Sequence, residues 1–169
     1  LVEALGDRAF GVAILFFSLP ALLPLSAIPG ITLIFSVPIM IFSLQMMGKR
    51  PSLWLPKSVA TKTISHKNVA KMIHVAVPIL KAFERFSKPR WVGMTGPIME
   101  ILNGLMLFCL AILLMLPIPL SNFIFGGIIL LFSLGTVEKD GVFVVLGYVF
   151  LGLYVLFMYK LIMAVLHFY

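Results

Sequence analysis

What is scarce in this chain decides most of its class. Only 11% of its 169 residues are charged and 62% are hydrophobic, where a soluble domain has about 25% and about 45–50%. The mean hydropathy is +1.15. A domain of this size leaves too much surface in water to hide such an excess. A soluble single-domain enzyme is excluded, and an integral membrane protein is expected. The single cysteine, Cys109, lies in an apolar run, so there is no disulfide framework and no cysteine metal site. The three histidines, His66, His74 and His167, are scattered without ligand spacing. No glycine-rich phosphate loop follows a strand, and no serine occupies a nucleophile elbow. No enzyme activity, cofactor or metal is expected. Nothing resembles a cleavable signal peptide, and a chain that opens on Leu1 rather than Met is expected to have residues upstream.

Acidic residues are scarcer still: six, against 13 Lys and Arg, for a net charge of +7. Ten of the basic residues fall between Gly48 and Arg90, where Glu84 is the only acid. Flanked by such apolar sequence, this block reads as a cytoplasmic segment under the positive-inside rule rather than as a nucleic-acid surface.

Long runs contain no charge at all: Ala9–Gly48 (40 residues), Ile101–Val137 (37) and Gly141–Tyr159 (19). A spanning helix needs about 20 residues, so the first two runs each have room for a pair and the third for one. Proline breaks the pairs, at Pro20, Pro24, Pro29 and Pro38 in the first run and at Pro117 and Pro119 in the second. The expected helices are Ala9–Leu19, Ile31–Met47, Met99–Leu116 and Phe123–Gly135, with a turn over Pro117–Asn122. Helices this short suggest re-entrant hairpins, which membranes tolerate only under cover of protein or water. Kinked but complete spanning hairpins fit equally well.

The two runs resemble one another. A shift of 90 residues matches Ile28-Pro29 with Ile118-Pro119, Ile34-Phe35 with Ile124-Phe125, Ile39 with Ile129, Phe42-Ser43-Leu44 with Phe132-Ser133-Leu134, and Lys49 with Lys139. The pattern predicts an all-α membrane protein of one domain with two internal repeats, at about 2–51 and about 92–141. A basic amphipathic segment at about 52–90 separates them, and a transmembrane helix at about 142–166 follows. The loop after the first copy, Gly48-Lys49-Arg50-Pro51, is basic, and Glu138-Lys139-Asp140-Gly141 leans acidic. Opposite insertion of the two copies, an inverted repeat, leaves such a difference behind, and it requires Ile64–Phe86 to enter or cross the membrane. That segment carries Lys67, Lys71, Lys81 and Arg85 on one face and Val69, Met72, Ile73 and Leu80 on the other. It reads either as a helix lying on anionic headgroups or as a crossing helix with a charged stripe facing the protein interior.

Several motifs, taken in order, resemble the ExoD family. They are Gly6-Asp7-Arg8-Ala9-Phe10-Gly11, Leu19-Pro20 with Pro24-Leu25, Gln45-Met46-Met47-Gly48-Lys49-Arg50-Pro51 and Trp54-Leu55-Pro56. They continue as Lys88-Pro89-Arg90-Trp91, Thr95-Gly96-Pro97, Pro117-Ile118-Pro119-Leu120 with Asn122, and Glu138-Lys139-Asp140-Gly141. The family's last motif commonly has Arg where Lys139 stands, and its first turn usually carries more glycine than Ser26–Gly30. The resemblance implies a multi-pass protein of the bacterial inner membrane linked to exopolysaccharide synthesis, without a defined reaction.

Polar residues in or beside apolar runs are the candidate functional groups. Glu100, Asn103, Asn122, Gln45 and Thr32 are candidates for substrate binding. Asp7, Arg8, Glu138, Lys139 and Asp140 are candidates for a charged interface or gate. Lys67, Lys71, Lys81 and Arg85 are expected to meet lipid headgroups. Each also has a structural role open to it, in hydrogen bonding between helices or in capping. Trp54, Trp91, Tyr148, Tyr154, Tyr159 and Tyr169 read as an interfacial belt. The expected function is a small transporter or permease-like protein, a homodimer in a bilayer with anionic headgroups and without nucleic acid. The alternative is a non-transporting scaffold that docks polysaccharide machinery through its basic segment.

Overall fold

The computed structural model describes residues 7–22, 31–49, 91–116 and 121–167, together with Trp54, Pro56, Pro78 and Lys81. Among the described residues the chain forms five α-helices and no strand. α1 is Asp7–Ser18, continued by a 3-10 turn at Leu19–Leu22 where Pro20 ends the α-helical ladder. α2 is Ile31–Met47 and carries Pro38 inside it. A 3-10 turn at Val92–Thr95 leads into α3, Pro97–Met115, with Pro97 in the first turn, where its missing N–H costs nothing. α4 is Ser121–Glu138 and α5 is Gly141–His167. α3, α4 and α5 are each long and apolar enough to cross a membrane, whereas α1 and α2 are shorter apolar helices.

Apolar helices in lipid gain little from burying more apolar surface, so close backbone approach decides how they pair. α1 lies against α4 at Gly11. A Cβ there would stand 2.7 Å from Val137 Cγ2 and 3.1 Å from the Ser133 carbonyl oxygen. α2 lies against α3 at Gly104, where a Cβ would stand 2.8 Å from Met47 Cγ and 3.2 Å from the Ser43 carbonyl oxygen. Each serine donates its hydroxyl back one turn, Ser43 to Ile39 and Ser133 to Ile129, both at 2.7 Å. The core between these pairs is apolar: Ile14, Phe17, Ile39, Phe42, Leu107, Leu110, Phe125, Ile129 and Phe132. α5 packs on α4 through Gly147, which receives the Phe132 ring, and through Val144 against Gly135.

These contacts fix the directions of the helices. The start of α1 meets the end of α4, and the end of α2 meets the start of α3. Met46 of α2 and Lys139 after α4 line one cleft. The two runs therefore end on the same side of the bundle. This brings the ends of α2 and α4 together, whereas opposite insertion of the two runs would set them apart. Both loops close on a lysine in left-handed conformation, Lys49 at φ 47° and Lys139 at φ 52°.

The helix boundaries expected for α2 are those found. α4 starts two residues earlier and runs three residues past Gly135, because Gly135 is a packing glycine against Val144 rather than a helix stop. α5 leaves the bundle: from Val155 to His167 every residue except Met158 is exposed. The basic stretch expected to be an amphipathic helix, with Lys67, Lys71 and Arg85, lies outside the described residues; Lys81 is exposed.

The glycine contacts are testable. Gly11→Val and Gly104→Val are each expected to destabilise the protein by about 1–3 kcal/mol through overpacking, read as a lower thermal midpoint in detergent. Gly152→Val, where a Cβ meets nothing within 4 Å, is expected to be neutral or stabilising.

Candidate functional site

The ends of α2 and α4 and the start of α3 meet in a cleft lined by Met46, Thr95, Glu100, Asn103, Thr136 and Lys139. Its volume of about 20 Å³ is room for a single water molecule. Glu100 lies in the first turn of α3 and its N–H donates to the Gly96 carbonyl at 2.8 Å. A carboxylate is favoured there by the positive end of the helix, as a lysine is by the negative end of α4. Both charges of the cleft thus stand where helix ends hold them cheaply.

Asn103, one turn further along α3, is 1% exposed. Its Oδ1 accepts from the Tyr148 hydroxyl at 2.9 Å, and its Nδ2 donates to the Met94 carbonyl at 3.2 Å. Tyr148 stacks edge-on against Phe132, with centroids 4.9 Å apart. Asn103 thereby ties α3 to α5 and to the turn before α3. Thr136 donates back to the Phe132 carbonyl at 2.9 Å.

A clasp ties the end of α2 to Trp54. The Trp54 N–H donates to Gln45 Oε1 at 2.8 Å, and Gln45 Nε2 donates to the Trp54 carbonyl. Trp91 adopts φ 52°, and its carbonyl lies so close to Gly141 that no Cβ fits there. Asp140, 4% exposed, accepts the Val142 N–H at 3.0 Å and caps α5. Its own N–H donates to the Gly135 carbonyl at 3.1 Å, closing α4 around Lys139.

Of the residues singled out by sequence, Glu100, Asn103 and Lys139 come together. Gln45 serves the Trp54 clasp and Asp140 the α5 cap; Glu138 is half-buried at the end of α4. Asn122 lies in the first turn of α4, at the opposite end of the bundle. Asp7 and Arg8 lie in the first turn of α1 and Thr32 in that of α2, and their side chains are outside the described residues. Sequence reasoning missed Thr95, Thr136 and Tyr148. Tyr148 and Tyr154 are not belt residues: both bond inward. The signal was the spacing Val144, Gly147, Tyr148, Leu151, one face of α5 turned to the core. Trp54 and Trp91 are exposed, as a belt requires. Among the described residues no three His, Cys, Asp or Glu lie together for a metal ion.

A family model described as exopolysaccharide synthesis, ExoD, matches residues 1–160. The chain is 35% identical over 155 residues to Protein ExoD of Rhizobium meliloti, covering 89% of this chain and 64% of that one. It is 32% identical over 145 residues to the uncharacterized protein slr1875 of Synechocystis, covering 85% of this chain and 68% of that one. The chain therefore spans slightly less than two thirds of the Rhizobium protein's length. No solved structure matches.

The Asn103 tie predicts a measurable coupling. Tyr148→Phe leaves Asn103 Oδ1 buried without its donor and is expected to cost about 1–2 kcal/mol. Combined with Asn103→Ala, the loss should be less than the sum of the two single losses, read from thermal midpoints of the four proteins in one detergent.

Proposed function

Since the chain belongs to the ExoD family, we propose that it is a bacterial inner-membrane protein associated with exopolysaccharide synthesis that acts as a transporter or permease-like protein. The observation that carries this reading is the cleft: Glu100, Asn103 and Lys139 gather at one end of an otherwise apolar bundle. Intramembrane and interfacial polar clusters of this kind mark substrate paths. The protein works without enzymatic chemistry or a cofactor, and forms a homodimer in a bilayer with anionic headgroups.

The two runs are copies of one unit. Matched positions 90 apart support this: Ser43 and Ser133 each face a glycine of the packed helix, Met47 and Val137 flank them, and Lys49 and Lys139 share a left-handed turn. The copies are parallel, with the site where they meet.

Two measurements test this. In a Cys109→Ser background, Lys49→Cys and Lys139→Cys are expected to label from the same side with a membrane-impermeant thiol reagent; labelling from opposite sides sinks the parallel arrangement. Full-length protein in liposomes is expected to pass a solute, with Glu100→Gln slowing it. No flux, with the cellular phenotype lost only on neutralising the basic segment, would favour the scaffold.

A further inference from the structure

The end of the bundle away from the cleft holds a second group of polar atoms. α4 begins there with Ser121 and Asn122, 3% and 7% exposed. The Asn122 Oδ1 is buried and has no hydrogen-bond partner. Beside it in sequence, Ser121 Oγ lies 2.9 Å from the Tyr154 hydroxyl, whose ring packs edge-on against Phe125 with centroids 4.9 Å apart. A buried carbonyl without a donor is costly, and folded proteins keep few of them. The first N–H groups of α4 have no partner within the helix. An unmet acceptor thus stands in the first turn of an 18-residue helix, among N–H groups whose partners must come from outside that helix.

The chemistry of an occupant follows. A cation would satisfy Asn122 but face the positive end of α4, and an anion would satisfy that end but face the Asn122 carbonyl. No Asp, Glu, Lys or Arg of α1 to α4 lies at this end, and Lys160 of α5 stands six residues beyond Tyr154 and is exposed. A hydroxyl suits both, because it donates with its proton and accepts with its oxygen. The same pairing recurs at the cleft, where Asn103 meets Tyr148. The two tyrosines stand six residues apart on α5, about 9 Å along the axis.

We propose that the start of α4 is a binding site for an uncharged polyhydroxyl ligand, a polyol or sugar, whose hydroxyl donates to Asn122 Oδ1 and accepts from the N-terminal turn. This rests on the transport reading above and names its substrate class as neutral. Asn122 serves binding at the expense of stability.

The test uses full-length protein in liposomes, shocked with glycerol, glucose or sodium gluconate and followed by stopped-flow light scattering. Glycerol or glucose is expected to enter faster than in protein-free vesicles, and gluconate is not. Asn122→Leu is expected to slow that entry about tenfold, the worth of one buried hydrogen bond, with its thermal midpoint unchanged or raised. Tyr154→Phe, which keeps the ring packing, should slow it too. Native rates in Asn122→Leu, a sharply lowered midpoint, or acceleration of water efflux alone would overturn the site. Gluconate entry without polyol entry overturns the neutral class and leaves transport standing. Entry of no solute at all overturns both.

Discussion

Two helix crossings, α1 on α4 at Gly11 and α2 on α3 at Gly104, set the geometry on which everything else depends. Each crossing brings a bare Cα against a serine carbonyl of the facing helix. Dispersion contact between backbones, rather than expulsion of water, holds helices together where the solvent is as apolar as they are. The serines contribute because their hydroxyls are satisfied within their own helices. A small polar residue is thereby made as inert as alanine, and the interface stays tight and dry.

From those crossings the polarity of the bundle follows. Helix ends that bear charge are gathered at one side, where the ends of α2 and α4 and the starts of α3 and α5 lie together. Between that cleft and the start of α4 the interior is built of Leu, Ile and Phe. Among the described residues the two polar ends are thus separated by an apolar layer. Among the described residues α5 makes side-chain hydrogen bonds to other helices at both: Tyr148 to Asn103, and Tyr154 to Ser121.

Much of this was legible in the sequence. Charge-free runs and prolines located the helices, and the bounds of α2 followed from the break at Pro29 and the charge that begins at Lys49. The pairing of Glu100 with Asn103 followed from their spacing of three. What escaped were features that depend on three-dimensional packing. Gly135 looks like a helix stop in sequence, but a packed Val144 makes it an interior residue. Tyr148 and Tyr154 look interfacial by type, yet they face the core on a helix with few polar partners to advertise it. Opposite insertion rests on loop charge, a statistical signal, whereas the Met46–Lys139 cleft brings the two ends together. Thr136 carried no sequence signal, since its hydroxyl is spent within α4.

α5 is taller than the bundle it leans on. Ser121 meets Tyr154, about 20 Å along α5 from Gly141, whereas the helix continues to His167, about 40 Å in all. A hydrocarbon core of about 30 Å is close to the ~27 Å rise of the 18-residue α4 but well short of α5. A helix longer than its membrane either tilts or carries its last turns, here those with Lys160 and His167, into the headgroup layer.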